Sequence, residues 1–334
     1  MGFSTTNDVR LYYCVEVSSS ADLSTNQVWE RVPITSESFT TSQEVTNISR
    51  LRQTSGNYEN ATSFVEASGG LNQELELTEF FINALVTILG SNAYRVFPHS
   101  GVQSTLIENG INDQELAFLK VVETETAIDY YVYRGCQFSS VSIDFAYDLP
   151  TASYSINVSS LGNPSQTEPH YLELDPDNLP SDIVNWQLND SVSVPQDYRM
   201  LSDILIKFSA TEYETSFTDF NLTLTRDLKK IRPLNQKVHT SIIYGGEVSA
   251  EVSGTLYFSH PRFYESLFTE TRFHIQFTLT DERGQSATFL LPSTKPTEIS
   301  EPVAGSVDAD LLVGATFSAE QRSATPLLTI EVTP

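Results

Sequence analysis

Basic residues are scarce in this chain. It carries 19 Lys and Arg against 43 Asp and Glu, a formal net charge of −24. A nucleic-acid binder displaces counterions from phosphates with Lys and Arg, so this balance argues against one. It argues equally against an anionic membrane surface as partner. Cysteine is nearly missing too. Cys14 and Cys136 have no neighbouring Cys and no His at ligand spacing. That argues against a disulfide framework and for two reduced, semi-buried thiols. Long apolar runs are missing: Phe80 to Leu89 is interrupted by Asn83 and Thr87 and is too short to span a bilayer. The first residues lack a basic segment followed by an apolar stretch, so no signal peptide is expected.

The patterns of catalysis and metal binding are missing as well. Asp175-x-Asp177 resembles the start of a calcium loop, but the sixth position is Pro180 and the twelfth Trp186, where Gly and an acid are needed. His99, His170, His239, His260 and His274 are scattered, with no zinc spacing. Gly69-Gly70 and Gly245-Gly246 alone do not make a phosphate loop, and no nucleophile elbow is present. Forty-three acids supply countless carboxylate pairs and single out none. No enzyme, metal or cofactor is expected.

What is present is a β-rich chain. Hydrophobic residues make up 40% and aromatic residues 11%, while only 19% are charged. Val, Ile, Phe and Tyr fall in short alternating runs, the signature of half-buried strands. At 334 residues the chain can build one large or two medium domains. A repeat favours two. Val65-Glu66-Ala67-Ser68-Gly69-Gly70-Leu71 returns as Ala250-Glu251-Val252-Ser253-Gly254-Thr255-Leu256. Each copy is strand-like and precedes a short amphipathic helix.

The first helix is the clearest element. Phe80, Phe81, Ala84, Leu85, Ile88 and Leu89 follow helical spacing, with Thr78 as N-cap and Gly90 as stop. A second is expected over Phe263–Phe268. Strands are expected at Tyr94–Phe97, Leu116–Glu123, Asp129–Tyr133 and Phe273–Leu279, with a hairpin joining Val141–Tyr147 to Tyr154–Val158. Residues 40–60 and 226–240 read as long polar loops. The expected division is an N-terminal arm (1–26), a first module (27–160), an inter-module segment (161–210) and a second module (211–334).

The Ser68–Leu71 strand running into the Phe80–Leu89 helix resembles the major tail tube proteins of long-tailed phages. So does Val252-Ser253-Gly254-Thr255-Leu256-Tyr257-Phe258 with the helix and strand that follow it, and so does the closing stretch Asp310 to Val332. The resemblance covers roughly residues 28–160 and 215–332. It implies a mainly β fold of two tandem tail-tube-type barrel or sandwich modules, each with one short helix packed on its sheet. It implies a structural virion protein, assembled in the bacterial host cytoplasm, whose rings stack head to tail into a tail tube. Its partners would be copies of itself and other tail proteins, with DNA as an unbound passenger in an acidic lumen.

If each half is one module, three chains supply six, so a trimeric ring with pseudo-six-fold symmetry is expected; a hexamer with one module per chain is the alternative. The polar strand faces nominate Glu66, Asn72, Glu74, Glu76, Glu247, Ser249 and Glu251 for the lumen. Polar loops carrying Arg50, Arg52, Arg226, Lys229, Lys230, Arg232 and Lys237 are the candidates to bridge rings, or else solvated loops that balance an acidic protein. A β-rich virion decoration protein or glycan-binding adhesin is the second class of function.

Overall fold

Alternation of β-branched and aromatic residues with polar ones yields 21 strands and one helix among the described residues. The computed structural model describes residues 9–16, 27–47, 60–91, 95–99, 102–123, 128–145, 150–161, 172–174, 187–190, 201–208, 211–214, 217–231, 242–257, 265, 268–269, 271–281, 284–300, 312–322 and 325–333. The first strands are β1 (Val9–Glu16), β2 (Val28–Arg31), β3 (Ser36–Glu37), β4 (Thr40–Asn47) and β5 (Asn60–Glu74). The helix α1 (Glu79–Leu89) follows, then β6 (Arg95–His99), β7 (Val102–Glu108), β8 (Glu115–Glu123), β9 (Ile128–Asp144) and β10 (Thr151–Val158). Short strands β11 (Ser160–Leu161), β12 (Leu172–Leu174) and β13 (Gln187–Asn189) come next. The second half holds β14 (Leu201–Phe208), β15 (Thr211–Glu214), β16 (Phe217–Ile231) and β17 (Ile242–Tyr257). It ends with β18 (Phe273–Thr280), β19 (Ser286–Ile299), β20 (Leu312–Ala319) and β21 (Thr329–Thr333).

Eight strands form one antiparallel sheet in the order β4-β5-β10-β9-β16-β17-β20-β19. One face is apolar and carries the core: Leu71, Tyr154, Val141, Leu222, Val252 and Phe317 are all buried there. Helix α1 lies in this core. Thr78 caps it by accepting from the Phe81 amide at 3.3 Å, and Gly90 ends it at φ 58. The cap works because Gly adopts the left-handed conformation without a Cβ penalty. Phe80 of the helix meets Tyr13, Phe118, Phe138 and Tyr154 ring to ring. Each such buried side chain contributes about 1.5–3 kcal/mol.

The glycines of the repeated pattern have a packing cause. A Cβ on Gly69 would sit 2.4 Å from the Phe39 ring, and one on Gly254 would sit 3.0 Å from the Phe217 ring. Gly69 makes room for an aromatic that covers the sheet, whereas at Gly254 the nearest atom is the Asp219 carbonyl oxygen, at 2.4 Å, so that glycine lets a neighbouring backbone approach closely.

Within the expected N-terminal arm, residues 9–16 are the described ones, and they form a docked strand. Strand β1 pairs with β8 along its whole length, and Leu11, Tyr12 and Tyr13 are buried. The stretch 40–60 is not a loop throughout, because β4 pairs with β5 from Thr40 to Asn47. Residues 48–59 lie outside the described residues. The strands expected at Asp129–Tyr133 and from Val141 are one 17-residue strand, β9. It bends at Gly135, φ 57, where it leaves one sheet for the other. A buried ion pair holds the bend: Arg134 donates to Glu16 at 2.6 Å, and the Gly135 amide donates to the other Glu16 oxygen at 2.6 Å. Burial pushes the Glu16 carboxyl up, against the pull of Arg134. The second expected helix lies largely outside the described residues; Glu265, Phe268 and Thr269 are helical.

The pairings of the first half recur in the second. β1 pairs with β2 and β8 as β14 pairs with β15 and β18. β4-β5-β10-β9 recurs as β16-β17-β20-β19, β8–β9 as β18–β19, and β12–β9 as β21–β19. The bulges recur as well. β8–β9 shifts between Leu116 and Phe118, and β18–β19 shifts between Phe273 and Ile275. One extra residue, Ser139, interrupts β9 against β10, and one, Thr297, interrupts β19 against β20. Counted from these bulges, Glu251 corresponds to Ser68, not to Glu66. Gln137, two before the first bulge, leads through Asn157 to Ser68; Lys295, two before the second, leads through Ser318 to Glu251. The repeated sequence pattern is therefore two residues out of register with the strands. A shift of two leaves every side chain on its original face, so alternation alone does not reveal it.

Among the described residues, hairpin β6–β7 has no counterpart. It reaches over to the second half, where β7 pairs with β21.

Candidate functional site

The eight-stranded sheet turns an extended polar face away from the core. Antiparallel pairing sets its side chains in rows across the strands. One row runs Asn72, Ser153, Ser142, Thr223, Glu251, Ser318, Lys295. The next runs Gly70, Ser155, Ser140, Thr225, Ser249. A third runs Glu74, Thr151, Asp144, Asn221, Ser253, Thr316, Glu298.

The rows are tied by hydroxyls and amides. At the join between the two halves, where β9 meets β16, Ser142 Oγ lies 3.2 Å from Thr223 Oγ1. Asn221 Nδ2 donates to Ser142 Oγ at 3.2 Å, and Thr223 Oγ1 donates to Asn221 Oδ1 at 2.8 Å. Thr225 and Ser249 hydroxyls meet at 2.5 Å, and Asn72 Nδ2 donates to Ser36 Oγ at 2.9 Å. These short side chains satisfy one another and leave a low, smooth surface. Carboxylates are sparse in the rows: Glu74, Asp144, Glu251 and Glu298 stand among many neutral groups. The chemistry is that of a largely neutral, hydrogen-bonded polar surface, with no convergent nucleophile, base or ligand set among the described residues.

Of the residues expected on such a face, Asn72, Glu74, Ser249 and Glu251 lie on it together. Glu247 is exposed on the same strand beyond Ser249. Glu66 pairs with Ser42 by its backbone, and its side chain lies outside the described residues. Glu76 does not belong to the face. The strand ends at Glu74, and Glu76 is 3% exposed at the entry to α1, because the alternation stops where the chain turns toward the helix.

The expected basic loop begins as strand, and residues 232–240 lie outside the described residues. β16 runs on to Ile231, so Lys229 and Lys230 are strand residues paired with Tyr244 and Ile243. Arg226 is buried at 4% exposure. It donates to the Thr87 carbonyl at 2.9 Å and pairs with Asp113 at 2.6 Å, so it serves the C-terminal end of α1 and not a partner ring. Arg50, Arg52, Arg232 and Lys237 lie outside the described residues. The hydroxyl network was missed from sequence. Its signal is there in Val141-Ser142-Ile143 and Leu222-Thr223-Leu224, where a small hydroxyl alternates with core residues.

A family model described as phage tail tube protein matches residues 6–319. No curated protein matches the chain.

Proposed function

The chain belongs to the phage tail tube protein family, and from that premise we propose that three copies close a ring whose wall is the eight-stranded sheet. Each half supplies one four-stranded unit, so three chains give six units in pseudo-six-fold arrangement and 3 × 8 = 24 strands. Rings then stack into the tube of the virion tail. The hydroxyl-lined face turns inward, and DNA passes over it without being held.

One observation carries this reading: the unit β4-β5-β10-β9 recurs as β16-β17-β20-β19, and the two copies are already joined edge to edge by β9 and β16. Among the described residues, β4 and β19 do not pair with each other. Both are outer strands of the sheet, and copies of the chain can continue the same order. The rows support closure at a suitable size. A row that starts at Asn72 reaches Glu251 four strands later, and Glu251 corresponds to Ser68, four residues back along the strand. A stagger of four residues per four strands gives a tilt of about 35° for a rise of ~3.3 Å and a spacing of ~4.8 Å. Twenty-four strands at that tilt make a barrel with a backbone radius of ~22 Å. Such a bore admits a DNA duplex.

The inner wall in this reading is polar rather than densely acidic. The few carboxylates repel phosphate within a Debye length of about 8 Å, and the hydroxyls keep a bound water layer between wall and DNA. A six-chain ring of the same sheet would need 6 × 8 = 48 strands and a bore about twice as wide. The test is assembly of the purified chain at rising concentration, viewed by electron microscopy. Tubes built of three-chain rings support the proposal; a monomer at every concentration refutes it.

A further inference from the structure

We propose that neighbouring chains join by pairing β19 of one with β4 of the next, with Thr40 opposite Ser300, Thr41 opposite Ile299 and Ser42 opposite Glu298. This rests on the ring reading above and adds the register of its seam. The chain contains its own template. At the join of β9 and β16, Ser142 is opposite Thr223, Val141 opposite Leu224 and Ser140 opposite Thr225. Ser142 stands three residues past the bulge residue Ser139, and Ser300 stands three past Thr297. Ser142, Val141 and Ser140 therefore correspond to Ser300, Ile299 and Glu298. On the other strand, Thr223 pairs with Glu251 as Thr40 pairs with Ser68. Thr223, Leu224 and Thr225 therefore correspond to Thr40, Thr41 and Ser42. Transplanting the internal join onto the two outer strands gives the register stated.

Both edges suit a second copy of this chain. Among the described residues, β4 has β5 as its one long partner, and β18 stops opposite Thr294, leaving the following stretch of β19 paired with β20 alone. Thr40, Thr41, Ser42, Glu298 and Ser300 are exposed in the single chain. The chemistry is matched position by position. On the polar face, Thr40 beside Ser300 repeats the hydroxyl pair of Thr223 and Ser142. Ser42 has a donor for the Glu298 carboxylate. On the core face, the Thr41 methyl meets Ile299, as Leu224 meets Val141. Pairing also consumes two strand edges that would otherwise template aggregation.

The sequence repeat makes a rival prediction. Aligning Ser-Gly-x-Leu with Ser-Gly-x-Leu moves β4 by two residues and sets Ser42 opposite Ser300. The experiment uses full-length chains bearing two cysteines, Thr40→Cys with Ser300→Cys, and for comparison Ser42→Cys with Ser300→Cys. Cβ atoms of directly opposed residues are ~4.5–5.5 Å apart, close to disulfide reach, while diagonal neighbours at ~7–8 Å are not. The natural Cys14 and Cys136 are buried and do not compete. Tubes are oxidised and run on non-reducing gels. The expected result is conversion of most T40C/S300C chains into covalent trimers, with at least tenfold less linkage in S42C/S300C. Tubes in which the second pair links instead, or in which neither links, overturn the register while leaving the ring intact. Failure of the unmodified chain to form rings at all overturns both, and electron microscopy of that sample separates the two failures.

Discussion

Arg226 Nη1 donates to the carbonyl of Thr87 at 2.9 Å, which ties the last turn of α1 to strand β16 of the other half of the chain. The last turn of α1 has no basic residue of its own. A cation placed at the carbonyl end of a helix meets its negative pole, and here it arrives from 139 residues away. Gly245 makes the space. A Cβ there would sit 1.9 Å from the Arg226 guanidinium.

Replacing Arg226 by Met removes a charged donor from a buried carbonyl and leaves Asp113 to solvent. The expected loss is about 1–3 kcal/mol. Gly245→Ala should cost a similar amount by pushing the guanidinium out of place. The two changes share one mechanism, so the double variant should lose clearly less than the sum of the singles. Denaturant melts of the four proteins check this; full additivity would detach Gly245 from Arg226.

Alkaline pH should unfold the chain early. Burial pushes the Cys14 thiol up to about 12, and raises Cys136, Tyr13 and Tyr154 as well. A group that stays protonated when folded but ionises when unfolded makes unfolding release a proton. Stability therefore falls as pH rises above the ordinary thiol value of 9.0, and for Cys14 the fall continues to about 12. The slope is about 1.4 kcal/mol per pH unit for each such group. Denaturation midpoints taken from pH 7 to 11 test it. Cys14→Ala should flatten the curve above pH 9, and an unchanged slope would contradict the assignment.

The face proposed as the inner wall should tolerate added positive charge in assembly but not in transport. Thr223→Lys or Glu251→Lys changes a surface side chain on the polar face, so tubes should still form. In a ring, each substitution places cations around the bore, where they hold phosphates and release counterions. DNA ejection from particles carrying either variant should slow several-fold and recover with added salt. Normal ejection at low salt would remove this face from the lumen.

Hairpin β6–β7 should act as a clasp between the two halves. Ile107 is fully buried opposite Ile330 of β21. Ile107→Ala should cost about 2–5 kcal/mol in the isolated chain. The proposed seam between chains uses β4 and β19 and not this hairpin, so at temperatures where the variant stays folded its ring symmetry should be unchanged.

Much of this fold is readable in the residues themselves. Helix α1 shows through the spacing of Phe80, Phe81, Leu85 and Ile88, and the strands around Val141–Val158 and Phe273–Leu279 through strict alternation. The face of Asn72, Ser249 and Glu251 follows from the same alternation. What stays hidden depends on contacts distant in sequence. Arg226 reads as one more base in a polar stretch until the end of α1 is seen beside it. Glu76 reads as the next polar tooth of a strand that has in fact ended. Leu11 to Cys14 reads as part of an arm, because its partner β8 comes about a hundred residues later. The pairing of the repeats is off by two because a period of two cannot report it; the recurring bulges, those at Ser139 and Thr297 among them, mark the register.

The central claim is that one chain provides two of six units in a ring, and the most direct measurement is the symmetry of assembled tubes by electron cryomicroscopy without imposed symmetry. The account predicts a three-fold ring in which alternate units differ, with hairpin β6–β7 present at every second one. A true six-fold ring of six identical chains would contradict it.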